Sequence, residues 1–239
     1  MTDPEASDLD ALVRRVDPDR WLSSRFVADA SMRADVVALY AFDHELARAP
    51  KVASNALLGE IRLALWREVL DEIEAGGAVR RHPTAQALAE AVRRRGLARG
   101  PLEAMIDARY RELDPAPLSS ADAIALATGS AHSCASLAIA ILDPERWEFS
   151  TFVSGWSGIW ALSLLVLAGR VVGDARREVE AEVRVNLAEA RTIERGGATP
   201  AMFPAVAHAA LADSYLKARA PGELEKRLRL TWAVARGRI

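Results

Sequence analysis

The sequence contains very little of what stabilises small secreted domains or β-sheets. It has one cysteine, Cys134, so no disulfide can form within the chain, and a reducing compartment is compatible. Alternating runs of valine, isoleucine, threonine and tyrosine, which would indicate strands, are nearly absent. Aromatic residues make up only 6% of the chain. Alanine and leucine dominate instead, and both favour helices, so the composition predicts an all-α protein.

A strong charge of one sign is also missing. The formal net charge is -2 at pH 7, so the chain lacks the broad positive field of proteins that bind nucleic acids. Hydrophobic residues account for 51% of the 239 residues, enough for the core of one large domain. We expect a flexible acidic N-terminus over residues 1–16 and one helical domain over residues 17–239. No secretory signal is visible, and we expect a cytoplasmic protein.

Charged residues are absent from two long stretches, Ala123–Leu142 and Phe149–Gly169. Each is about long enough to cross a bilayer, so a membrane-spanning hairpin is one hypothesis. A helix that is apolar on all sides also fits the centre of a large bundle. We favour the buried interpretation, because a bundle of this size needs one or two enclosed helices and these stretches are the candidates.

The clearest helix is predicted over residues 56–74. Leucine, isoleucine and valine recur there at helical spacing, which predicts that Leu58, Ile61, Leu65, Val69 and Ile73 face the core. Gly76-Gly77 ends this helix. The remaining helices are expected to begin at Pro18, Met32, Pro83, Gly100, Ser120, Asp174, Pro200 and Gly222. Pro50 is expected to end or bend the second of them.

Three segments, taken in order, resemble the squalene/phytoene synthase family. They are Leu39-Tyr40-Ala41-Phe42, the run Leu58 to Leu70 with its Glu-Ile-Arg and Trp-Arg pairs, and His82-Pro83-Thr84. The resemblance covers about residues 17–216 and implies a single-domain helical bundle of the isoprenoid synthase type around a prenyl-diphosphate cavity. Active members of the family join two prenyl diphosphates head to head. Two aspartate-rich motifs hold the Mg²⁺ ions that bind the diphosphate.

The first aspartate motif is missing from this sequence. Counted on from Tyr40, the family aspartates should fall near Ala47, Arg48 and Lys51, and none of these is a carboxylate. The acids present are Asp43 and Glu45. They are two residues apart and therefore point about 200° apart on a helix, so they cannot chelate one ion together.

The second motif is only faintly present, around residues 173–178. Asp174 and Glu178 lie four residues apart, on one helix face. Because Arg176 and Arg177 are interleaved with them, we favour a solvated helix face over a metal site. Asp43, Asp174 and Glu178 remain weak candidates for catalytic residues, and the sequence predicts no metal ligand.

Cations replace the missing aspartates and suggest a weaker ligand site. Arg48 and Lys51, together with Tyr40, are candidates for holding an anionic head group directly. The alternative is an exposed helix end, where cations interact favourably with the helix dipole. The last helix is basic and carries Leu224, Leu228 and Trp232, which fits an anionic membrane surface and an ordinary bundle helix equally well.

The resemblance therefore implies a degraded, non-catalytic member, close to the branch that contains the mitochondrial complex I assembly factor. Such a protein would bind a protein partner or an isoprenoid or other lipid, with peripheral membrane contact, and would require no cofactor. The first alternative is an active Mg²⁺-dependent prenyltransferase in which Asp174 and Glu178 face Asp43. The second is a membrane protein built on the uncharged hairpin.

Overall fold

A computed structural model describes residues 4–53, 55–193 and 199–239 of the chain. Its α-helices are α1 (Pro4–Val16), α2 (Pro18–Ser24), α3 (Ala30–Val52), α4 (Ala56–Glu74), α5 (Pro83–Arg95), α6 (Arg99–Arg109), α7 (Ser120–Ala127), α8 (Ser133–Leu142), α9 (Ser150–Leu167), α10 (Gly173–Ile193), α11 (Ala212–Leu216) and α12 (Glu223–Arg236). A π-helical turn, Thr128–His132, joins α7 to α8. The described residues include no strand, so the all-α prediction is confirmed.

Helix α3 runs through the middle of the bundle. Asp29 caps it by accepting a hydrogen bond from the Met32 amide at 2.7 Å. Every residue from Val36 to Phe42 is at most 3% exposed, because α1, α4, α5 and α8 all pack against this helix. The sequence prediction had considered only the two uncharged stretches as enclosed helices. Helix α3 is enclosed as well, although it carries charged residues.

The two uncharged stretches also pack inside the bundle. Segment Ser120–Leu142 is long and apolar enough to cross a membrane, and 56% of its most apolar window is buried within the protein. Helix α9 packs against α7, α8, α10 and α11. On α9, Trp156 and Trp160 are at most 5% exposed. The burial of both stretches agrees with the interpretation that they are core helices. Their composition alone would also fit a membrane-spanning segment.

Helix α4 has the predicted ends and a different buried face. Asn55 caps it, accepting from the Leu58 amide at 3.0 Å, and Gly76 follows its end with φ of +73°. The inward prediction for Leu58, Ile61 and Leu65 is wrong, because these side chains are 42–47% exposed. The buried residues of the helix are Gly59, Leu63, Trp66, Val69, Leu70 and Ile73. Its first turns contact the bundle through Gly59, which has no Cβ and lies directly against Leu113, and this turns the leucines outward.

Two boundaries near prolines differ from the predictions. Helix α3 continues past Pro50 to Val52. A proline in the last turn removes only one hydrogen bond, so the helix need not end there. Residues 200–220 do not form one helix: they contain 3₁₀ turns at Phe203–Ala205 and Ala207–Leu211 before the short α11. Pro204 lacks the amide hydrogen that a continuous helix would use at that point.

The N-terminal segment is helical over most of its length. The structure places Pro4–Val16, most of the segment predicted as a flexible N-terminus, in helix α1. Leu9 and Val13 are 6% and 0% exposed. Their spacing of four residues puts both on one helix face, and that face packs against α3 and α5.

Candidate functional site

The interior of the bundle contains a group of buried charges that we call the central ion cluster: Arg20 of α2, Asp43 of α3 and Arg109 of α6. The Asp43 side chain is 5% exposed. Its Oδ2 accepts from Nη2 of Arg20 at 2.6 Å, and its Oδ1 accepts from Nη2 of Arg109 at 2.7 Å. Ser130 of the π-helical turn donates to the same Oδ1 at 2.9 Å. Both oxygens of the carboxylate are therefore bonded to cations.

Each arginine of the cluster also has a second anionic partner. Arg20 forms an ion pair with Asp17, the cap of α2, and its Nη1 donates to the Cys134 Sγ at 3.3 Å. Arg109 pairs with Glu112 at 2.7 Å. Two guanidinium groups thus face three carboxylates, so the cluster balances its own charge to within one unit.

The electrostatics of Asp43 follow from these contacts. Burial alone would raise the pKa of its carboxyl group, because a charge is poorly solvated inside a protein. The charges of Arg109 and Arg20, and the hydrogen bonds from both, outweigh burial and hold the pKa well below its ordinary value. Asp43 is therefore ionised, and its charge is already neutralised by the chain itself.

Tyr40, a predicted ligand residue, lies beside this cluster. The Arg20 guanidinium sits 4.9 Å from the centre of the Tyr40 ring and 5.3 Å from that of Trp160, distances at which cation–π attraction is effective. Burial raises the pKa of Tyr40. Its hydroxyl has no hydrogen-bond partner among the described residues. Tyr40 thus packs in the core and holds Arg20 in place.

A second buried network lies around Asp19. Its carboxylate, on a side chain 5% exposed, accepts from Tyr215 at 2.5 Å, Lys226 at 2.5 Å and Trp160 at 3.1 Å. These contacts join α2 to α9, α11 and α12. Since the neighbouring Arg20 belongs to the central ion cluster, helix α2 connects both networks.

The other two candidate acids lie on the surface. Asp174 is 80% exposed and pairs with Arg177, three residues along α10. Glu178 is exposed and accepts a hydrogen bond from Ser120. The prediction of a solvated helix face for these residues agrees with this arrangement. The structure does not bring Asp174 or Glu178 together with Asp43, which is buried at the centre of the bundle.

The residues present do not fit the Mg²⁺ ions that the family resemblance implies. Mg²⁺ requires oxygen ligands, commonly one or two carboxylates shared with phosphate. Of the motif positions, Ala47 has no ligand atom and Arg48 and Lys51 are cations. Within residues 4–53, 55–193 and 199–239, no three acidic, histidine or cysteine side chains are grouped so as to hold a metal.

Arg48 lines a small cleft between α3, α4 and the start of α5. The cavity measures about 220 Å³ and is bordered also by Arg62, Arg80, Trp66 and His82. Trp66 packs edge-on against His82, with ring centres 5.3 Å apart. Lys51 is exposed and does not line this cleft. The three predicted ligand residues are therefore separated, with Tyr40 in the core, Arg48 in the cleft and Lys51 on the surface.

Beside this cleft, α4 exposes an apolar surface that we call the α4 stripe: Leu57, Leu58, Ile61 and Leu65. These side chains are 42–64% exposed, and Val52, which lines the cleft with Leu65, is 45% exposed. Single exposed leucines are common, whereas several on one helix face next to a cleft indicate a contact surface.

Sequence reasoning missed Arg20 and Arg109, although Arg109 carried a signal. Arg109 continues the buried face of α6, four residues after Met105 and seven after Leu102. Asp43 likewise lies four residues after Leu39 on α3. A charge that continues an apolar helix face points into the core, where it needs a partner of opposite sign.

The comparisons with known proteins agree with this fold. The squalene/phytoene synthase family profile matches residues 13–150. Assembly factor 6 of NADH dehydrogenase (ubiquinone) complex I from Bos taurus is 33% identical over 103 residues, which are 43% of this chain. That match covers only 30% of the bovine protein.

Two solved structures have a similar fold. A dehydrosqualene synthase in complex with a ligand superposes with a TM-score of 0.76 and 13% identity, covering 98% of this chain and 96% of that one. The squalene synthase HpnC from Alicyclobacillus acidocaldarius superposes with a TM-score of 0.62 and 18% identity, covering 98% of this chain and 94% of that one. At these identities the likeness establishes the fold alone, and it confirms the predicted bundle of the isoprenoid synthase type.

Proposed function

The chain belongs to the squalene/phytoene synthase family, and from that premise we propose that it is a non-catalytic member that binds a protein partner at a membrane surface. The role we propose is in the assembly of a respiratory complex, as the name of the bovine relative states for that protein. The observation that carries the proposal is the bonding of Asp43, whose two carboxylate oxygens are both held by arginine.

The chemistry of the active family members explains why this bonding matters. Their reaction requires a diphosphate group to leave, and Mg²⁺ bound by carboxylates stabilises the departing charge. In this chain, a metal ion at Asp43 would have to displace Arg20 and Arg109, which bind at 2.6 and 2.7 Å. Both arginine side chains are at most 11% exposed, so neither can turn easily toward solvent.

The α4 stripe supports the binding part of the proposal. Four apolar side chains lie on the exposed side of one helix, and burying them against a partner would remove hydrocarbon from water. Arg62 lies between Ile61 and Leu65 in sequence and lines the neighbouring cleft with Arg48. An apolar centre with a charged rim is typical of protein contact surfaces.

Helix α12 supports a position at a membrane surface. Leu224, Leu228 and Trp232 are 60–72% exposed and four residues apart, so they form one outward face. The Arg236 guanidinium lies 4.1 Å from the Trp232 ring centre. A helix with an exposed apolar face bordered by cations suits the lipid head-group region.

The loss of catalysis is tested by turnover. Purified protein is incubated with farnesyl or geranylgeranyl diphosphate and Mg²⁺, and released diphosphate is measured beside a protein-free control. We expect no release above that control. Release that disappears with a chelator and in Asp43→Ala would overturn the non-catalytic assignment and favour the active prenyltransferase.

The assembly role is tested in the organism that carries the chain. The chromosomal copy is replaced by Ile61→Glu/Leu65→Glu, and assembled NADH dehydrogenase is measured on native gels. Val172→Glu/Val185→Glu is the matched control, since these valines are 50% and 53% exposed and lie outside the α4 stripe. We expect less assembled complex in the stripe variant alone, at equal protein level. Full assembly in a deletion strain would refute the role.

Membrane contact is tested separately by extraction. We expect part of the protein to sediment with membranes and to be released by high salt or carbonate. Leu228→Glu/Trp232→Glu should reduce the sedimenting fraction. Protein retained after carbonate treatment would instead indicate a membrane-spanning segment.

A further inference from the structure

A second, larger cleft lies between α1, α3 and α5. Its cavity measures about 800 Å³, and we call it the arginine cleft. The arginines that line it are Arg14, Arg15, Arg25, Arg33 and Arg94. None of them belongs to the central ion cluster, so the cleft is independent of the proposed loss of catalysis.

Positive charge exceeds negative charge in this cleft, with five arginines against three acids. The acids already have partners. Asp10 accepts from Arg25 at 2.6 Å and from the Trp21 indole at 3.0 Å. Asp35 accepts from both Arg94 and Arg95 at 2.7 Å. The third acid, Glu90, pairs with Arg94 at 3.5 Å, so the three carboxylates of the cleft are bonded to Arg25, Arg94 and Arg95.

Three arginines of the cleft face no carboxylate among the described side chains: Arg14, Arg15 and Arg33. The Arg14 guanidinium lies 5.1 Å from the centre of the Trp21 ring. Arg33 donates one hydrogen bond, at 2.9 Å, to the Val27 carbonyl. A guanidinium has five N–H donors, so most of the donors of these side chains remain available to a ligand.

The floor of the cleft is apolar. Leu9, Val37 and Ala38 are at most 6% exposed and form part of the wall, and Ala34 and Ala87 extend it. The cleft therefore combines a hydrocarbon surface with a group of unneutralised guanidiniums. Its volume lies within the range of about 300–1,000 Å³ that is typical of small-molecule sites.

We propose that the arginine cleft binds an anionic amphiphile, with a phosphate ester held by Arg14, Arg15 and Arg33 and a hydrocarbon chain lying on the apolar floor. Guanidinium groups bind phosphate through paired, charge-assisted hydrogen bonds. A free phosphate would use the arginines and leave the floor empty, whereas a zwitterionic lipid, whose choline group offsets the charge of its phosphate, would gain mainly from the floor.

Calorimetric titration with three probes separates these cases: dioctanoyl phosphatidate, dioctanoyl phosphatidylcholine and inorganic phosphate. We expect saturable binding of the phosphatidate, with the phosphatidylcholine and the inorganic phosphate each binding at least about tenfold more weakly. Affinity for the phosphatidate should fall as salt is added.

Variants locate the binding. Arg14→Ala/Arg33→Ala should weaken phosphatidate binding at least about tenfold, and Arg176→Ala/Arg184→Ala on the exposed face of α10 should leave it unchanged. Because Arg33 also bonds to the backbone, the exposed Arg15→Glu serves as a second variant that disturbs no described contact. Equal binding by wild type and by both cleft variants would overturn the proposal. Equal affinity for inorganic phosphate and phosphatidate would overturn it too, as would no phosphatidate binding.

Discussion

Replacing Asp43 by asparagine tests the central ion cluster most directly. Asparagine has nearly the same shape and keeps one carbonyl acceptor, but it removes the charge that both Arg20 and Arg109 face. The two arginine side chains are 8% and 11% exposed, so water cannot replace the missing carboxylate. The variant therefore leaves two buried cations with one counter-charge fewer.

The expected loss in the free energy of unfolding depends on which ion pairs Arg20 and Arg109 keep in the variant. Breaking a buried ion pair by removing one partner costs about 3–5 kcal/mol. Arg20 keeps Asp17 and Arg109 keeps Glu112, so the lower end, about 3 kcal/mol, is expected for Asp43→Asn. For a chain of this size that corresponds to a loss of about 6–12 °C in Tm.

The assay is urea unfolding followed by circular dichroism, with Asp35→Asn as the matched control. Asp35 also accepts from two arginines at 2.7 Å, but Arg94 and Arg95 are 44% and 20% exposed and can be hydrated after the change. We expect the control to lose only about 1 kcal/mol. Equal losses in the two variants would refute the argument from burial.

The difference in stability between wild type and Asp43→Asn should depend on pH. The pKa of Asp43 is lowered in the folded protein. Its contribution to stability is therefore present above the unfolded pKa of about 4 and is lost as the pH falls toward the folded pKa. The difference in stability between wild type and Asp43→Asn should narrow below about pH 5. A difference that stays constant down to pH 3 would contradict the assigned charge.

Three further changes have expected outcomes. Gly129→Ala should lower the free energy of unfolding by about 1–3 kcal/mol, because the added Cβ would lie 2.8 Å from the Ala108 Cβ. Gly158→Ala is the control: its Cβ would meet open space, so the free energy of unfolding, measured by chemical denaturation, should rise by about 0.5 kcal/mol. Burial, with the charge of Arg20, lowers the pKa of His208 well below its ordinary value. Stability should therefore fall as the pH drops below about 6.5, and His208→Gln should flatten that slope in unfolding curves. Burial raises the pKa of the Cys134 thiol to about 12, so it should resist a thiol reagent until the protein is denatured; rapid native labelling would contradict this.

The helix boundaries were predictable where local chemistry decides them. Helix α4 begins after the Asn55 cap and ends before Gly76. Helix α5 begins at Pro83 and ends at Arg95, before Gly96 with its φ of +64°. These signals act within one turn, so no tertiary information is needed. The buried face of α4 was not predictable in the same way. Apolar residues lie on two sides of that helix, and only the partners that pack against it decide which side is buried.

The positions where the family resemblance expects aspartates could be located from the sequence, whereas the partners of Asp43 could not. The family resemblance located the missing aspartates at Ala47, Arg48 and Lys51 by counting along one helix. The partners of Asp43 come from other helices, 23 and 66 residues away in sequence. Such pairings depend on how helices cross, which residue spacing along a single helix does not contain.

The central ion cluster links the preserved fold to the proposed loss of chemistry. A bundle with a polar interior requires its buried carboxylates to be neutralised. In active members of the family, as the resemblance implies, Mg²⁺ ions held by the two aspartate-rich motifs supply positive charge. Here Arg20 and Arg109 supply it permanently, because they are part of the chain. An interior that is already neutralised gives a metal little electrostatic reason to bind, yet it keeps helices α2, α3 and α6 in contact. The same two arginines therefore join helices α2, α3 and α6 and bond both carboxylate oxygens of Asp43.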